Sequence, residues 1–269
     1  MLALCDDDFD QIELAEGALI LNQAVEPLTQ VQWAQQELDR LLQEAELTLF
    51  HEVDEWSRFD ALLRLFYCEW AFHGDRNSYF ASENAFLDQV LKRRQGIPVS
   101  LGALLLYLGR KLGFALDAVV FPTQFLVKVS VATEVRYVNP FNGEYVSQHI
   151  LHAWLIGHQG PLAQLNAEKH LQVADNSSVI GLWLAVLKSA LIREGNYTQA
   201  LRCTDLALSW LPDDPYEIRD RGFIYLQLDC HQVALMDYQY FIEQCPDDPS
   251  AGLLQHQVDA MRNTVATIH

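Results

Sequence analysis

The tetrapeptide Pro212-Asp213-Asp214-Pro215 recurs as Pro246-Asp247-Asp248-Pro249, at an offset of 246 − 212 = 34 residues. The same offset pairs Ala200 with Ala234, Leu201 with Leu235, Leu208 with Ile242 and Leu191 with Tyr225. A fixed period of this length constrains the fold more than any single motif. It marks a helical unit that cannot bury its apolar face alone and has to stack on a neighbour. A proline at the end of each unit breaks the helix before it, so the next unit can begin.

These positions resemble the tetratricopeptide repeat. In the second unit Gly222, Tyr225, Ala234, Tyr238 and Pro246 fall where that family places its small, aromatic and proline residues. The first unit matches less well: Lys188 and Thr204 stand where glycine and an aromatic are usual, and Phe241 replaces a small residue in the second. Two units are few for a free-standing solenoid, which needs about three. Leu253 to Ile268 can cap one end. The leading helix carries Ile180, Leu182, Trp183, Leu184, Val186, Leu187 and Leu191, more apolar surface than one partner helix covers. Part of it is therefore expected to dock on the preceding region. The resemblance implies another protein or peptide as partner, with Arg219, Arg221 and Tyr225 as candidate contacts. The two arginines could equally form a solvated helix start or brace the N-terminal domain.

Ahead of the repeats, periodicity predicts helices over most of residues 9–72, with one apolar face at Val31, Ala34, Leu38, Leu41, Leu42 and Ala45. His73 to Tyr79 reads as a loop, and Asn84 to Arg94 as a helix stopped by Gly96. Pro98 suits the first turn of a further helix that ends at Gly113. After Gly113 the texture changes: Ala118 to Phe121, Gln124 to Val131 and Val135 to Val138 are short, β-branched and aromatic, and read as strands. Gly157 to Asn176 has weak periodicity and is the expected domain boundary, giving regions 1–160 and 177–269.

Charge narrows the function. Eighteen basic against 36 acidic residues give a net charge of −18, which makes direct nucleic-acid binding a poor reading, since that affinity comes largely from Lys and Arg. The one basic cluster, Lys92-Arg93-Arg94, fits the last turn of a helix. The acidic start, Met1 to Asp8, does not read as a signal peptide. The apolar run Leu101 to Leu108 is too short for a membrane span. Five cysteines without a Cys-x-x-Cys pair suggest thiols in a reducing cytoplasm. His149 and His152 have helical spacing but no acidic or thiol partner fixed nearby, so neither a metal nor a cofactor is expected.

Residues 84–101, together with Phe121-Pro122-Thr123-Gln124-Phe125-Leu126 and Tyr137-Val138-Asn139-Pro140-Phe141-Asn142-Gly143, resemble the transglutaminase-like core of the Sir B family of bacterial regulators. The order of that core followed by tetratricopeptide repeats matches as well. The resemblance implies an α+β fold: mainly helical, a transglutaminase-like (papain-like) core with a small antiparallel sheet, then α-α repeats. It also places a Cys-His-Asp constellation at Ser100, Gln124 and Asn139. Serine needs a base in order to attack, glutamine cannot relay a proton near neutrality, and asparagine brings no charge to steady an imidazolium. The expectation is a degenerate site whose three side chains still converge, in a non-catalytic cytoplasmic adaptor or regulator. The alternative is a hydrolase or acyltransferase using Ser100, with His73 as the candidate base.

Overall fold

The computed structural model describes residues 6–267. Cys5 and the rest of the N-terminal five residues, and Ile268 at the end of the expected cap, lie outside the described residues. The chain folds as two compact units that divide between Trp183 and Leu184.

After a 3-10 turn at Asp6–Gln11, the first unit continues with α1 (Leu14–Val25), α2 (Val31–Leu49) and α3 (Glu55–Arg64). α2 buries Ala34, Leu38, Leu41, Ala45 and Leu49, about one residue per turn, and leaves its other faces charged. α3 starts at Asp54, whose carboxylate accepts the Trp56 and Ser57 N–H groups at 3.1 Å each, and it runs on through a π turn at Leu65–Glu69. Two short strands follow, with α4 (Leu87–Arg93) between them: β1 (His73–Gly74) pairs in parallel with β2 (Gln95–Gly96). The segment read as a loop thus contains a strand, too short at two residues to show alternation. α4 ends at Arg94, in the left-handed region with φ 58°.

α5 (Pro98–Lys111) is the central helix. Every residue from Pro98 to Gly109 is buried, so the apolar run that includes Leu101 to Leu108 reflects a helix covered on all sides. Pro98 occupies the first turn, and Gly113, at φ 89°, supplies the left-handed turn after the helix. Then come β3 (Ala115–Phe121), β4 (Gln124–Val131), β5 (Glu134–Asn139) and β6 (Glu144–Tyr145), an antiparallel sheet in the order β3-β4-β5-β6. One face packs on α5. The other face carries Val119, Phe121 and Leu126 against Leu151 and Leu155 of α6 (Gln148–Gln159). Residues 160–175, read from composition as a boundary, belong to this layer. They include α7 (Ala167–His170), Leu171 joins the same cluster, Ala174 N–H donates to the Ala118 carbonyl at 2.9 Å, and Val173 bridges Val119.

α8 (Asn176–Arg193) runs across the division. Its Trp183, in the first unit, is fully buried and donates from Nε1 to the Ala85 carbonyl at 2.8 Å. The second unit continues with α9 (Tyr197–Trp210), α10 (Pro215–Gln227), α11 (His231–Gln244) and α12 (Ala251–Thr267). α10 and α11 cross closely at Gly222, where an added Cβ would meet Asp237 Cβ and the Tyr238 ring at 3.0 Å. One repeat earlier the sizes are exchanged. Lys188 replaces the glycine, and fully buried Thr204 replaces the aromatic. The Lys188 amine bonds Glu217 at 2.7 Å and Asp220 at 2.7 Å on α10. The poorer match of the first repeat is thus a compensated exchange of volumes.

Candidate functional site

Ser100 is the third residue of α5, and the backbone there decides its chemistry. Its Oγ accepts the Ile97 N–H at 3.1 Å and donates to the Ile97 carbonyl at 3.1 Å, and the residue is 0 % exposed. A Cβ on Gly96 would lie 2.6 Å from this Oγ, so the hydroxyl rests against a bare backbone. The first turn of a helix favours a thiolate. Here the serine uses its one donor and an acceptor lone pair to cap that same turn.

Gln124 and Asn139 are placed by the sheet register. Val127 faces Val138, and successive residues along a strand alternate between faces. An added Cβ at Gly102 of α5 would overlap Phe125 and lie 3.2 Å from Pro140, and one at Gly109 would meet Leu116. The α5 side of the sheet therefore carries Leu116, Phe125, Val127 and Val138. Gln124 and Asn139 project with Leu126 to the opposite side. Asn139 Oδ1 accepts the Phe141 N–H at 3.0 Å and so shapes the turn into β6. Among the described residues no hydrogen bond joins any two of Ser100, Gln124 and Asn139. Alternation across a sheet does not gather the three around one point.

His73 does not serve Ser100 through a hydrogen bond either. Its Nδ1 lies 3.4 Å from the Gly74 carbonyl and its Nε2 3.5 Å from Gln95 Nε2. His152 Nε2 sits 3.1 Å from the Ala163 carbonyl. Among the described residues, no three His, Cys, Asp or Glu side chains gather to hold a metal ion.

The strongest polar organisation is one that spacing does not reveal. Asp75, 4 % exposed, accepts the N–H groups of Asn77 at 3.0 Å and Ser78 at 2.8 Å. It also accepts Asn84 Nδ2 at 3.3 Å and Arg93 at 3.1 Å. Burial alone would push its carboxyl up, but the Ser78 N–H, the Asn84 amide, the Asn77 N–H and the Arg93 charge outweigh it and hold the group below the usual range. The basic cluster is spent on such pairs: Lys92 on Asp88, Arg93 on Asp75, Arg94 on Glu37. Asn22, fully buried, makes a second node by donating to the Ala85 carbonyl at 3.0 Å and accepting the Leu87 N–H at 2.8 Å. Asn22 stands out as a polar residue inside an apolar segment, whereas Asp75 lies in a polar loop, and neither setting fixes a partner.

In the repeats the candidate contacts are largely neutralised within the unit. Arg221 makes a two-pronged pair with Asp237 at 2.9 and 2.7 Å. Asp237 is 5 % exposed, so the pair is buried on the carboxylate side. Arg219 pairs with Asp220 at 2.9 Å and lies over the rings of Tyr216 and Phe241. Tyr225 is half-buried, and burial first, then Asp205, raises its phenol. Cys203 lies inside this unit, where burial pushes its thiol up to about 12 and leaves it unreactive at neutral pH.

Comparison with known proteins gives the same division of the chain. Residues 32–185 match the model of the transglutaminase-like superfamily, and residues 187–259 match a tetratricopeptide repeat model. A UPF0162 protein of Vibrio cholerae is 65% identical over 271 residues, covering 100% of both chains. Protein SirB1 of Salmonella typhimurium and UPF0162 protein YchA of Escherichia coli K12 are each 40% identical over 270 residues, again covering 100% of both chains. No solved structure matches the chain. With a transglutaminase-like core, repeats behind it and full-length identity to these relatives, the chain belongs to the SirB1/UPF0162 family.

Proposed function

We propose that this protein is a non-catalytic adaptor or regulator that binds another protein or peptide. The unit that ends at Trp183 would be a transglutaminase-like scaffold and the unit that begins at Leu184 the repeat module. The observation that carries the non-catalytic half is the state of Ser100, whose hydroxyl is buried and bonded at both ends to Ile97. A nucleophile needs a base within hydrogen-bond reach and an open path to substrate, and Ser100 has neither feature. The binding half is supported by the repeats, an architecture whose stacked units present extended surfaces to other chains. No helix among the described residues is long and apolar enough to cross a membrane, and we place the protein in the cytoplasm on the thiol and charge arguments above.

Two measurements test this reading. Treatment with a fluorophosphonate or an activated ester should give no adduct on Ser100, and stoichiometric labelling abolished by Ser100→Ala would overturn the non-catalytic half. Affinity capture with the intact protein should enrich a specific partner that a chain lacking residues 184–269 does not retain. Equal capture by both chains would move the binding surface off the repeats.

A further inference from the structure

The cleft beside β1 differs in charge from the rest of the molecule. It encloses about 410 Å³ and is walled by Tyr67, Phe72 and Phe141, with His73, Arg76 and Gln95 around its mouth. That is the volume of a site for one residue or a small ligand, too small for a whole helix. The walls are fixed by glycines. A Cβ at Gly74 would overlap the Phe141 ring, and one at Gly143 would overlap Tyr67. Tyr67 is held further by its hydroxyl, which donates to the Pro140 carbonyl at 2.8 Å. Both rings are therefore set in place before any ligand arrives, which lowers the ordering cost of binding.

The charges point one way. Asp75 is the one carboxylate in the lining, and it is already engaged with two backbone N–H groups, Asn84 and Arg93. Arg76, the next residue, has no hydrogen bond or ion pair among the described residues and is exposed. Arg93 and Arg94 nearby are both paired with carboxylates. A chain with a net charge of −18 thus presents, at one preformed aromatic cleft, an unpaired guanidinium beside an imidazole and an amide. A guanidinium fork is the group that best grips a carboxylate, and the rings suit an apolar or aromatic side chain next to it.

The geometry points to this cleft as a binding site for the C-terminal carboxylate of a peptide whose last residue is aromatic. This rests on the protein-binding reading and adds a second contact region, on the transglutaminase-like core. In such a complex the carboxylate meets Arg76, with the Gln95 amide as a second donor, while the terminal ring lies against Phe141 and Tyr67.

The test titrates the full-length protein with acetyl-Gly-Gly-Phe as the free acid and as its C-terminal amide, read by calorimetry and by amide shifts in NMR. The free acid is expected to bind at least about tenfold tighter than the amide, a charge-assisted hydrogen bond's worth. The shifts should centre on residues 73–77 and 141–142. Arg76→Ala should erase the preference for the acid, Arg76→Lys should keep part of it, and Lys169→Ala, at an exposed cation elsewhere, should leave it unchanged. Equal binding of acid and amide, no binding of either at millimolar concentration, or an undiminished preference in Arg76→Ala would each overturn the site. If the peptide fails to bind while the repeats still capture a partner, this site falls and the adaptor reading stands. If the peptide binds but no partner is ever captured, the site stands and the adaptor reading falls.

Discussion

Replacing Ser100 by alanine separates a capping serine from a catalytic one. The Ile97 N–H donates to Ser100 Oγ at 3.1 Å, and Ile97 is 3 % exposed, so removing the hydroxyl leaves a buried donor without its acceptor. The Ile97 carbonyl is less affected, because it also accepts the Leu101 N–H at 3.0 Å. An orphaned buried donor costs about 1–3 kcal/mol, and loss of a helix cap about 0.5–2 kcal/mol. These describe the same bond, so the expected loss is about 1–2 kcal/mol. With a urea m-value near ~3 kcal/mol/M for a chain of this size, the midpoint should fall by about 0.3–0.7 M. The assay is urea unfolding followed by circular dichroism on the intact protein. A cycle with Gly96→Ala sharpens it. The added methyl would sit 2.6 Å from Oγ in the wild type and meets no oxygen once Ser100 is alanine. The double variant should therefore lose less than the sum of the two singles. A Ser100→Ala midpoint unchanged within about 0.1 M would refute the capping argument.

Trp183→Ala empties a fully buried site and removes the Nε1 bond to Ala85, and should cost about 3–5 kcal/mol. Trp183→Phe should cost about 1–2 kcal/mol for the hydrogen bond with most of the volume kept, and equal effects in thermal melts would argue against tight packing there. The Asp75 carboxyl is held below its ordinary value, so its stabilisation is complete above the unfolded carboxyl's pKa of about 4 and is lost as pH falls through the lower folded value. Asp75→Asn should flatten that acid limb and lower stability at neutral pH, as followed by unfolding from pH 2 to 7. Lys188→Ala should cost about 1–3 kcal/mol, because it leaves Glu217 and Asp220 facing each other partly buried. A Lys188→Ala melt identical to wild type would show that Arg219 compensates for the lost amine.

The repeats, α5 and the strands were legible in the sequence because each rests on local chemistry. A 34-residue period, a proline in the first turn and a glycine after the last state their own conformation without reference to the rest of the chain. β4 coincides with the run that announced it, while β3 and β5 extend one to three residues beyond theirs, since pairing continues through half-buried Asp117 and exposed Glu134. Motif order likewise gave the transglutaminase-like core and its likeness to the Sir B family. What order along the chain does not contain is direction. Whether Gln124 turns toward α5 or away depends on a register in which a shift of one residue reverses every side chain, and that register is set by Phe125 and Leu116 packing on Gly102 and Gly109. Whether Ser100 points outward to a substrate or back to Ile97 is a rotamer decided by the missing side chain of Gly96. Asp75, in a loop with no periodic signature, meets Asn84 and, 18 residues on, Arg93 at the end of α4. Local propensity determined where the elements lie in this protein. Only close packing, which acts between residues distant in sequence, decided which side chains meet.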